Sequence, residues 1–72
     1  MGLEKVVLNR IMEVNADIFD NAEFFNGSLF IRKDDTYCFM QLRNCMDVIA
    51  KMVCCPVEIT ESDTQYAIDF VI

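Results

Sequence analysis

Twelve carboxylates and no histidine set the chemistry open to this 72-residue sequence. The acids fall in blocks. Glu13, Asp17, Asp20 and Glu23 lie in a stretch, 13–31, that holds no Lys or Arg. Glu58, Glu61, Asp63 and Asp69 follow Lys51, again without a base. Segments 1–12 and 32–51 are each net +1, against a formal net charge of -6 for the whole chain. Carboxylates left uncompensated in this way can hold a hard cation, serve as an acid–base pair, or attract a cationic partner. A calcium loop needs acids at alternate positions, then a glycine and a distal glutamate. Asp34-Asp35 lacks that spacing and reads as a turn, and Glu58, Glu61 and Asp63 lack it too. Paired carboxylates for glycoside chemistry need a sugar cleft, which so short a chain is poorly able to shape. With no imidazole, the usual base near neutral pH is missing, and a cysteine nucleophile would have nothing to activate it. The expectation is a binding protein rather than an enzyme.

The four cysteines do not change this reading. Cys38, Cys45, Cys54 and Cys55 are spaced C-x6-C-x8-C-C, without the C-x2-C knuckles of a zinc site. The N-terminal residues lack the basic-then-apolar layout of a secretion signal, so reduced thiols and a cytoplasmic location are expected. No phosphate-binding or dinucleotide fingerprint is present, and no cofactor or metal is expected. No run approaches the ~18 apolar residues of a membrane span. The six bases are scattered, so phosphate neutralisation along a basic stripe, and with it direct nucleic-acid binding, is disfavoured.

The elements that must position the acids follow from periodicity. Leu3, Val7, Ile11, Val14 and Ile18 share one helical face, which predicts a helix from about 3 to 17 or a little beyond. If it continues through Asp20, then Glu13, Asp17 and Asp20 form a row at i, i+4 and i+7. Its neighbours would be about 5–6 Å apart, and each like-charge pair costs a few tenths of a kcal/mol. Asn26-Gly27 between Glu23–Phe25 and Ser28–Ile31 is a hairpin signal. The rival reading carries the helix on to Phe25 with Gly27 at its end. Lys33–Thr36 then predicts a second hairpin, joining 29–32 to 37–42. Asn44, with Asp47 three residues on, predicts the start of a second helix, with Cys45, Ile49, Met52 and Val53 as its apolar stripe and Pro56 as its stop. Val57–Thr60 and the alternation Tyr66, Ile68, Phe70, Ile72 predict two more strands. Glu58 and Asp69 then lie on the sheet face away from the helices, with Glu61 and Asp63 on the turn.

The fold expected is α+β in a single domain of residues 1–72. It is a small antiparallel sheet of four or five strands with two helices on one face, in the order α-β-β(-β)-α-β-β. No internal repeat is visible. In size and charge the chain resembles the small acidic inhibitors of phages and mobile elements, among them anti-CRISPR and anti-restriction proteins. That resemblance is one of composition. It implies stoichiometric occlusion of a basic nucleic-acid-binding surface on a partner protein, engaged here by Glu13, Asp17, Asp20, Glu58, Glu61, Asp63 and Asp69. The alternative is a homodimer or subunit of a larger complex held by apolar residues, for which Leu8, Met12 and Phe19 supply a second stripe on the first helix.

Overall fold

The computed structural model describes residues 2–71. Ile72, the last inward position expected of the final strand, lies outside the described residues, as does Met1. Three helices, α1 (Gly2–Val14), α2 (Ala16–Asp20) and α3 (Phe39–Val53), accompany four strands: β1 (Ala22–Phe25), β2 (Ser28–Arg32), β3 (Val57–Glu61) and β4 (Gln65–Phe70). The strands form one antiparallel sheet in the order β1-β2-β4-β3. The fold is α+β, as the pattern predicts.

α1 forms on the four-residue spacing of Val7 and Ile11, both fully buried. It stops at Val14, three residues short of the expected end. Asn15 leaves helical space (φ -157°, ψ 102°), and its Oδ1 accepts the N–H groups of Asp17 and Ile18 at 3.0 and 3.3 Å. An asparagine that can satisfy orphan amides starts a new helix more readily than it sits inside one. The apolar period continues across this break because Ile18 of α2 also enters the core.

Asn26 and Gly27 both have positive φ (53° and 81°), the geometry of a type I′ turn. The β1–β2 hairpin is therefore as expected, and the reading that runs a helix to Phe25 is not. The expected hairpin between 29–32 and 37–42 does not form. β2 pairs with β1 on one edge and β4 on the other, which leaves no edge for a third partner. Instead the chain turns at 35–36, buries Tyr37, whose hydroxyl donates to the Arg32 carbonyl, and enters α3 at Phe39. The Cys38 N–H donates to Gln41 Oε1 at 2.8 Å, which satisfies one amide at the helix entrance. Asn44 is thus inside α3, and Asp47 pairs with Arg43 one turn earlier (3.8 Å). The buried stripe of α3 is Leu42, Cys45, Met46 and Ile49, while Met52 is exposed. At its C-terminus Cys54 adopts the left-handed conformation (φ 58°, ψ 36°), Cys55 N–H bonds the Ala50 carbonyl at 3.2 Å, and Pro56 follows.

Leu29 and Ile31 of β2, Tyr66 and Ile68 of β4, Val7 and Ile11 of α1, Ile18 of α2 and the α3 stripe make one core between the sheet and the helices. All helices lie on one side of the sheet. The order β1-β2-β4-β3 also divides the chain into two helix–hairpin halves, 2–32 and 33–71. Each contributes one edge strand and one central strand, with β2 and β4 antiparallel at the junction. The sequence shows no matching repeat, because burial rather than residue identity is what the halves share.

Candidate partner-binding surface

Strand alternation and register fix what the open side of the sheet displays. One row across the four strands is Phe25, Ser28, Asp69, Glu58, and the next is Glu23, Phe30, Ala67, Thr60. Among the described residues no element covers this face. Phe25 is 64% exposed. Glu58 lies directly across from Asp69 on the neighbouring strand. Like charges so placed destabilise a strand pair by roughly 0.2–1 kcal/mol. Ser28 Oγ donates to Asp69 Oδ1 at 2.8 Å, which orients that carboxylate without neutralising it. Arg32, paired with Gln65, is the one base on this face among the described residues. It stands at the far end, in a cleft it shares with Asp20, Glu23 and Phe30.

The seven acids singled out in the sequence are thereby separated. Glu58 and Asp69 occupy the outer sheet face, as alternation predicts. Asp20 joins them at its rim, beside Glu23. Asp63 rides the β3–β4 turn, whose closure is marked by the Ser62 N–H donating to the Gln65 carbonyl at 2.9 Å. Glu61 does not ride the turn: it ends β3 opposite Tyr66, on the helix side of the sheet. Nor is it uncompensated, because Lys33 Nζ reaches it at 2.7 Å while sitting 5.2 Å from the centre of the Tyr66 ring. The hydrogen bond to Glu61 raises the Lys33 pKa above its ordinary value against the opposing effect of desolvation, with smaller help from the charges of Glu61, Tyr66 and Asp63. The row Glu13-Asp17-Asp20 does not exist as a helical row, since the helix it requires ends at Val14. Glu13 stays on α1 and pairs with Arg10 at 2.9 Å. Asp17 enters the first turn of α2, where an acid favours the helix N-terminus.

Sequence reasoning missed Glu23, Phe25 and Phe30 as parts of this face. The signal was available: residues flanking a type I′ turn alternate in facing, so Phe25 and Ser28 share a side, and so do Glu23 and Phe30.

Among the described residues no polar or charged side chain is buried. The acids therefore act as a solvated surface field rather than as desolvated reactive groups. The groups that burial does shift are Cys45, whose thiol is pushed up to about 11, and Tyr37, pushed up to about 12 by burial and secondarily by Tyr66 and Asp34. Both belong to the core, and neither faces a cleft. No group of three or more metal-ligating side chains converges among the described residues.

The charge is divided between helices α1 and α3 and the rest of the chain. Helices α1 and α3 together carry four bases (Lys5, Arg10, Arg43, Lys51) against three acids (Glu4, Glu13, Asp47). The rest of the chain carries two bases against nine acids. No helix of the described residues is long and apolar enough to cross a membrane. Comparison with protein-family models, with curated proteins and with solved structures finds no match to this chain.

Proposed function

We propose that the chain is a protein-binding module that acts by stoichiometric occlusion, laying its outer sheet face on a Lys/Arg-rich surface of a partner protein. Surfaces of that kind are the ones that hold nucleic-acid phosphates. The observation that carries this reading is the Glu58–Asp69 cross-strand pair on an open face, in one row with the exposed Phe25. A sheet that keeps two like charges side by side, with no base between them, retains a repulsion that a cationic partner relieves. The acids then set association rate and orientation, and Phe25 with Phe30 supplies apolar contact on the β1–β2 side of the face. Asp20 and Glu23 extend the field along the rim.

The test begins with a partner retained from native lysate at low salt and then purified. Its nucleic-acid binding is followed by fluorescence anisotropy as the chain is added. Displacement at one chain per partner site is the expected result. Glu58→Lys combined with Asp69→Lys lowers the association rate about tenfold or more at low salt, with a smaller effect at high salt. Displacement that is insensitive to salt and unaffected by this double reversal would sink the proposal.

A further inference from the structure

A second surface lies on the far side of the molecule. The solvent side of the α1–α3 pair forms a groove of about 690 Å³, walled by Val6, Arg10 and Glu13 of α1 and by Val48, Lys51 and Met52 of α3. Val6 is 49% exposed and Met52 37%. Leu3, 42% exposed, stands one turn before Val6 on the same stripe. An aliphatic groove between two helices is a seat for further helices.

Charge decides which occupant fits. The chain is net -6, so two copies repel each other over most of their surface. The α1–α3 side is the exception, with four bases against three acids. Its groove holds both signs: Arg10 and Lys51 on one hand, Glu13 on the other. Lys51 has no carboxylate within ion-pair distance among the described residues. The strip therefore sets a cation with no intramolecular partner beside a carboxylate whose only pair, with Arg10, is an exposed one that can be exchanged, and those are the elements of a self-complementary two-fold contact.

We infer that the α1–α3 groove is the seat of a second copy of this chain, giving a two-fold dimer in which four helices pack at the centre. Val6, Val48 and Met52 are its apolar contacts, and Lys51 and Glu13 its charge pairs. The dimer points its two acidic sheets outward in opposite directions. It rests on the helix side alone and stands or falls independently of what the sheet binds. Two helices about 20 Å long present a small interface, so the dissociation constant belongs in the micromolar range, roughly.

Sedimentation equilibrium across a wide concentration range tests it, with circular dichroism to establish that variants fold. A reversible monomer–dimer equilibrium is expected for the natural chain. Val6→Asp with Met52→Glu is expected to raise the dimer dissociation constant about 100-fold, or tenfold for each residue. Phe25→Asp, on the opposite face, is expected to leave it unchanged. Concentration-dependent methyl shifts of the natural chain, recorded by NMR, give a readout that needs no variant. They are expected at Val6, Val48 and Met52. A strict monomer at millimolar concentration, a dimer that survives the double substitution in a folded chain, or shifts clustered on Phe25 and Phe30 overturns the assignment.

Discussion

On the helix side of this molecule charges answer one another within a single element: Arg10 pairs with Glu13 on α1, and Arg43 with Asp47 on α3. On the outer sheet face no such pairing occurs among the described residues, and Glu58 faces Asp69 across two strands. The difference shows where electrostatic conflict can persist. Along a helix, neighbours three and four apart are set by local sequence, so compensation needs one residue change. Across a sheet, neighbours are set by register between distant segments, and Glu58 and Asp69 meet only because β3 and β4 pair as they do. Helix pairs of this exposed kind contribute little to stability. The cross-strand repulsion is of similar size and opposite sign.

Three substitutions sharpen this contrast, taken from the largest effect downward. Ile68→Ala attacks what the two sides share. Ile68 is fully buried on a central strand, between Leu29 of β2 and Ile59 of β3. Truncation in such a site costs about 2–5 kcal/mol, a large share of what so small a domain holds. Urea denaturation should show it, and partner binding and dimerisation should fail together. Asn15→Ala removes the cap that separates Glu13 from Asp20. The expected loss is about 1 kcal/mol by the same assay. If stability is unchanged, the break between α1 and α2 is held by packing of Ile18 and not by the asparagine.

The smallest effect has the opposite sign. Glu58→Thr relieves the cross-strand repulsion and places a β-branched residue on a strand, so stability should rise by a few tenths of a kcal/mol. The same substitution should slow association with the cationic partner. A variant that is more stable and binds equally fast would show that Glu58 serves solubility alone.

Much of this architecture was legible where local chemistry and global fold agree. Asn26-Gly27 demanded positive φ at two consecutive residues, and only a hairpin uses that. The alternation Tyr66, Ile68, Phe70 named the inward face of β4, and Pro56 marked the end of α3. Where expectation and structure part, apolar residues stand outside the core. Tyr37–Leu42 reads as a strand by composition, yet Phe39 and Met40 are exposed residues of the first turn of α3. The cap there is a cysteine, which carries no capping preference to detect. Of the stripe Leu3, Val7, Ile11, Val14, Ile18, only Val7, Ile11 and Ile18 enter the core, from two successive helices, while Leu3 and Val14 are exposed. The acidic row needed a single helix in place of those two. The outer face escaped notice for a different reason: its rows join residues from all four strands, and only register brings them together.

The junction of the two helix–hairpin halves bears on how the chain reaches this structure. Each half closes its own hairpin over a turn of two or three residues, a local event on the microsecond scale. Joining β2 to β4 is another matter, because the nearest pair, Arg32 and Gln65, encloses more than thirty residues. Closing such a loop costs about 3 kcal/mol of chain entropy before Leu29 and Ile68 meet. The slow step of folding is therefore expected at the central seam of the sheet, where the two halves must find one another. The same seam, offered by a neighbouring molecule during that search, makes exchange of halves the characteristic error of a chain built this way.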